Sequence, residues 1–186
     1  MEAIKKIEIN KITKIILVSV LGTLLLTISA KIKIPFYPVP MTMQTFVVLF
    51  LGVTLGSKIG LLTVSLYLLE GIYGLPVFAG TPEKGVGFIY FTGPTMGYLL
   101  GFLIAVYFTG SFKYEKGLIN NLIKLIFSVS FIYIFGLIWL GTLIGWDKPI
   151  FKLGAQPFLL AELFKILLLL FLTPTLLKAK KLIKIT

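Results

Sequence analysis

Long apolar runs, cut by lysine clusters and by proline- and glycine-rich junctions, divide the chain into six stretches at 12–30, 42–56, 59–75, 93–110, 118–142 and 155–177. A bilayer core of about 30 Å is crossed by about 20 mostly apolar residues in a helix. Each stretch is therefore predicted as a membrane span, and residues 1–186 as one integral membrane domain, an all-α bundle of six transmembrane helices. The second stretch is short, about 21 Å by helical rise, and suits a half-span or a steep helix packed against protein. A four-span arrangement with 42–75 re-entrant would keep the same parity.

Composition agrees with this pattern. Apolar residues make up 58% of the chain and charged residues 13%, and the mean hydropathy is +1.02, outside the range of soluble domains. There is no cysteine and no histidine. Disulfide frameworks, thiolate zinc sites, and Cys-His or Ser-His nucleophile systems are thereby excluded, and neither a metal nor a cofactor is implied.

The net charge of +11 arises from 18 lysines against 7 acids. The lysines lie between apolar runs, so they read as membrane-flanking positions rather than as a nucleic-acid surface. With the amino terminus inside, twelve lysines fall on the cytoplasmic side and five outside, with Lys165 left in the membrane. That asymmetry predicts two cytoplasmic termini. The first apolar run is long and has no small-residue cleavage site after it, so it reads as a retained helix.

Gly52, Gly56 and Gly60 recur at four-residue spacing, as do Gly93, Gly97 and Gly101. On helices such spacing flattens one face for close packing, within the bundle or in a homo-oligomer. Ser19, Thr23 and Thr27 form a comparable stripe on the first helix, available to helices of the bundle or to an external partner. No phosphate-cradling G-x-x-x-x-G-K-[ST] string is present, so uphill transport would draw its energy from a partner ATPase or an ion gradient.

Glu70, Glu162 and Lys165 are predicted inside spans. A charge deep in a bilayer costs at least about 2.5–3.5 kcal/mol, which makes each a functional candidate. Glu162 and Lys165 are three apart and share a helix face; they could neutralise one another or hold a ligand. If the last helix begins near Ala155, they lie about 10–15 Å below its outer end. The junctions Pro38–Thr45, Gly74–Phe78 and Gly93–Thr95 gather at that same end, bringing Thr42, Gln44, Thr45, Thr95 and Gln156 with them. A concave apolar site with a few convergent polar groups is a small-ligand site, here opening outward. Tyr37, Tyr73, Tyr90, Phe91, Trp146 and Phe158 share this zone as interfacial or packing aromatics. Phe78 and Tyr98, inside junction motifs, are the better ligand candidates.

These junctions resemble the BioY family, the biotin-binding S components of energy-coupling factor (ECF) transporters. The strings that carry the resemblance are I-P-x-x-P-V-P-x-T-x-Q-T at 34–45, L-G-x-x-L-G-S-K-x-G at 51–60, L-Y-L-L-x-G-x-x-G-L-P-V-F-A at 66–79, G-P-T-x-G-Y-L-L-G-F at 93–102 and P-F-L-x-x-E-x-x-K at 157–165. The resemblance implies a plasma-membrane S component that captures biotin from outside, docks on a T subunit with two ABC-type ATPase subunits, and delivers its ligand by tilting. It implies that Glu162 and Lys165 recognise biotin's polar head and that Thr23 and Thr27 belong to the stripe that meets the T subunit. The chain departs from the family pattern in having Ala161-Glu162 for Gly-Asp, Met96 for glycine, Glu70 for an aliphatic residue, and Thr81-Pro82-Glu83-Lys84 in a loop richer in glycine. An S component for another small carboxylated vitamin, an intramembrane enzyme with Glu70 or Glu162 as base, and a structural subunit are the alternative readings.

Overall fold

The computed structural model describes residues 2–114 and 117–183, with side chains for 11–114 and 117–178; Lys116 and Lys184, counted in the charge argument, lie outside the described residues. Helix α1 spans Glu2–Lys31, α2 Gln44–Ile72, α3 Met96–Ser111, α4 Leu118–Ile144, the short α5 Ile150–Gly154, and α6 Leu159–Ile183. A two-residue antiparallel pair, β1 Lys33–Ile34 with β2 Met41–Thr42, follows α1, and a 3₁₀ segment, Gly87–Thr92, precedes α3.

The hydrogen-bonded run of α2 hides a reversal. Gly56 stands at φ 77°, ψ 176°, a conformation open to glycine and costly for residues with a Cβ. The legs 44–55 and 57–72 lie side by side. A Cβ built on Gly60 would come 3.7 Å from the Gly52 Cα, and the Gln44 amide donates to the Tyr67 hydroxyl at 2.7 Å. The predicted spans 42–56 and 59–75 are thus two arms of one hairpin, and six spanning segments result. The glycine face predicted at 52, 56 and 60 is corrected: Gly56 is the turn, while Gly52 and Gly60 face each other across it.

The legs and α3 are too short for a lipid-exposed span, at about 18, 24 and 24 Å by helical rise. They form the inside of the bundle. The apolar window of α2 is 67% buried, against 28% for α1, 28% for α4 and 33% for α6. Long helices therefore face lipid, and short ones are walled by protein.

Close backbone approach holds α3 in place. A Cβ on Gly101 would come 2.6 Å from the Ile132 Cα of α4, and one on Gly97 would strike the Phe135 carbonyl. Gly93 lies before the helix and takes no part in this face. At the other end, a Cβ on Gly110 would strike the backbone of Gly56 and Ser57.

The Ser19 and Thr23 stripe turns inward; both residues are buried, and Thr27 is half-buried. Gly22, between them, seats the Thr63 side chain. At Gly22 this part of α1 packs against α2. The last span starts at Leu159 rather than near Ala155, because α5 and a 3₁₀ turn at Gln156–Phe158 occupy the preceding residues.

The overpacking imposed by Gly101→Ala should cost about 1–3 kcal/mol, read as a lower melting temperature in detergent. Gly117→Ala, whose new Cβ would meet only the Asn120 Cβ at 3.8 Å, should melt with the parent.

Candidate ligand site

The β1–β2 turn, the 73–95 connection and the 145–158 connection all lie at one end of the bundle, because successive spans alternate in direction. Beneath them is an open-mouthed cavity of about 60 Å³, apolar with a few convergent polar groups as small-molecule sites are. Glu162 and Lys165 form one side. Thr42, Gln44 and Thr45 come from β2 and the start of α2; Tyr98 and Phe102 from α3; Ile132 and Tyr133 from α4. Val39, Ala79, Tyr90 and Thr95 complete the wall toward the mouth.

Glu162 lies in the first turn of α6, where the helix dipole favours an anion. Counted from Leu159, it sits about 4.5 Å and Lys165 about 9 Å along the helix, shallower than the depth expected from Ala155. Both residues are almost fully buried. The Glu162 Oε2 accepts from the Tyr133 hydroxyl at 2.9 Å, from the Thr45 hydroxyl at 3.0 Å and from the Lys165 ammonium at 3.5 Å. The same ammonium donates to the Thr42 carbonyl at 2.6 Å and to the Thr45 hydroxyl at 3.0 Å, so its three protons are engaged.

Glu162 Oε1 is different. It is buried and has no hydrogen-bond partner. A buried carboxylate oxygen left empty is costly, and a ligand N–H would satisfy it.

Six sequence candidates line the cavity: Thr42, Gln44, Thr95, Tyr98, Glu162 and Lys165. Tyr98 also donates to the Gly154 carbonyl at 2.7 Å, tying α3 to α5. Two candidates lie elsewhere. Phe78 is packed among Tyr67, Tyr90 and Phe91, with ring centroids 5.2, 4.7 and 5.4 Å away, because Gly71 leaves its ring a seat on α2. Gln156 is exposed on the 3₁₀ turn before α6. Glu70 is half-buried near the end of α2, outside the cavity lining.

Tyr133 is the functional side chain that sequence reasoning missed. Its only signal is a phenol in an otherwise apolar stretch of α4. A second, wider space of about 410 Å³ shares Tyr90 and Thr95 with the cavity and has exposed Lys84 on its rim, forming a vestibule.

A six-helix membrane bundle with a walled polar site at one end is the fold of an ECF-type substrate-binding component. The chain superposes on the crystal structure of the S-component for biotin from an ECF-type ABC transporter with a TM-score of 0.76 and 26% identity, over 91% of this chain and 93% of that one. The BioY family model matches residues 3–182, and the chain belongs to the BioY family. It is similar to the probable biotin transporter BioY of Pyrococcus horikoshii, 35% identical over 76% of this chain and 82% of that one. It is also similar to the biotin transporter BioY of Thermotoga maritima, 35% identical over 77% of this chain and 84% of that one.

Removing the cation alone should strand the carboxylate. Lys165→Met is expected to destabilise the protein by about 3–5 kcal/mol. The double variant Glu162→Gln/Lys165→Met should recover much of that loss in the same thermal melts.

Proposed function

We propose that this chain is the biotin-capturing S component of an ECF transporter in the cell membrane. The observation that carries the reading is the unpartnered Glu162 Oε1 beside Lys165 in a mostly apolar cavity. Biotin's head is a cyclic urea, with N–H donors and a carbonyl acceptor on one rigid edge. Oε1 accepts a ureido N–H. The carbonyl accepts a hydrogen bond from the second N–H of the Gln44 amide, whose first goes to the Tyr67 hydroxyl. The apolar ring and chain run along Tyr98, Phe102 and Ile132. The tail carboxylate points to the vestibule, where Lys84 supplies positive charge.

The lysine asymmetry supports cytoplasmic termini and a mouth facing outward. Without a nucleotide-binding loop of its own, the chain relies on a T subunit and two ATPase subunits, and delivers its ligand by tilting as a body. The departure at Glu162 favours one competitor reading, a related carboxylated vitamin with a different head. Competition separates the two.

Purified protein in nanodiscs should bind biotin saturably, with unlabelled biotin displacing it and lipoate, thiamine and riboflavin failing to do so. Glu162→Gln and Lys165→Ala should each weaken binding by about ten- to a hundredfold, the worth of a hydrogen bond to a charged group. Parent-like affinity in both variants would refute the site. The chain has no cysteine, so single replacements report sidedness cleanly: Asp147→Cys should label from outside intact cells and Leu118→Cys should not.

A further inference from the structure

We infer that Lys31 is a positioning residue for the ligand site, acting through the segment 76–81 that walls it. The inference rests on the reading of the cavity as the biotin site. Lys31 is the last residue of α1 and does not line the cavity. Its ammonium reaches the carbonyls of Pro76 at 2.8 Å, Phe78 at 3.0 Å and Thr81 at 3.1 Å, and the Thr81 hydroxyl at 3.1 Å. With three protons for four oxygens, one of these bonds is shared.

The two carbonyls between them are taken by tyrosines. Tyr67 donates to Val77 at 3.0 Å and Tyr90 donates to Ala79 at 2.8 Å. Pro76, Val77, Phe78, Ala79 and Thr81 thus all direct their carbonyls at side chains, drawn from α1, the second leg of α2 and the 3₁₀ segment. A stretch without a helix or sheet ladder owes its shape to such donors. The two tyrosines are buried and fixed by ring packing. Lys31 is exposed, and its hold on the segment comes from the ammonium bonds.

The segment connects to the ligand by two routes. Ala79 and Tyr90 are themselves cavity wall. Val77 is joined through the Tyr67 hydroxyl to Gln44, which donates to that hydroxyl at 2.7 Å and also lines the cavity. Loss of the Lys31 bonds frees the Pro76 and Thr81 carbonyls, leaves Phe78 held only by Thr81 within the segment, and loosens the wall while leaving Glu162, Lys165, Thr45 and Tyr133 untouched. The consequence is faster ligand escape with an intact polar floor.

The test compares Lys31→Met, which keeps the stem and removes the donors, with Lys31→Arg, which keeps charge and donors. Hydrogen exchange in the ligand-free protein should rise about tenfold across 73–86 in Lys31→Met and stay unchanged in α3 and α4. Biotin dissociation should quicken by a similar factor, and Lys31→Arg should stay close to the parent in both. Unchanged exchange in the loop overturns the inference. So does a rise spread evenly over the protein, equal loosening in Lys31→Arg, or a loosened loop with unchanged dissociation. If the parent fails to bind biotin, the functional reading falls, and the exchange experiment still decides whether Lys31 holds the segment.

Discussion

Glu162 and Lys165 lie side by side in a bundle that stands in lipid, and neither charge can survive there without a full set of partners. The ammonium is met by a backbone carbonyl, a hydroxyl and the carboxylate; the carboxylate has one oxygen met by a phenol, a hydroxyl and the ammonium. Those partners come from β2, α2 and α4. The pair therefore dictates which elements must converge on the first two turns of α6, and it leaves the Oε1 acceptor without a protein partner.

Such a site must also be kept from lipid, and the bundle achieves this by length. Segments too short to span alone, the two α2 legs and α3, take the inside of the bundle, and the long helices take the lipid contact while α4 and α6 turn one face each to the cavity. The Gly56 reversal makes the first leg possible. It lets α2 begin at Gln44, beside the cavity, and return Tyr67 to the same level. Glycines on α3 then draw α4 close enough for Tyr133 to reach the carboxylate.

Much of this is legible in the sequence, because bilayer thickness constrains it strongly. The number of spans, the gathering of the junctions at one end and the shared face of Glu162 and Lys165 follow from apolar run length and helical periodicity. Gly56 was harder, since glycine at four-residue spacing serves a flat helix face and a left-handed turn equally well, and only the backbone angle separates them. Phe78 illustrates the same ambiguity for aromatics: a junction position is compatible with ligand stacking, and Gly71 draws the ring into the core instead. Tyr133 stands in a span defined by hydropathy alone, where one phenol has no pattern to announce its partner. For Ser19 and Thr23, small size suits both an internal and an external neighbour, and only the folded bundle shows both side chains buried.

The far half of the bundle carries the last step. Below the cavity, a Cβ on Gly52 would lie 2.7 Å from Thr109, one on Gly60 2.9 Å from Val106, and Gly110 rests on the hairpin turn. Interiors packed to this density behave as a jigsaw rather than a fluid, and the helices there are pinned backbone to backbone. Separating the helices there would break contacts that hold three segments together, the two legs of α2 and α3. The open-mouthed cavity and this close-packed region thus occupy opposite ends of one bundle, and the same short inner segments take part in both.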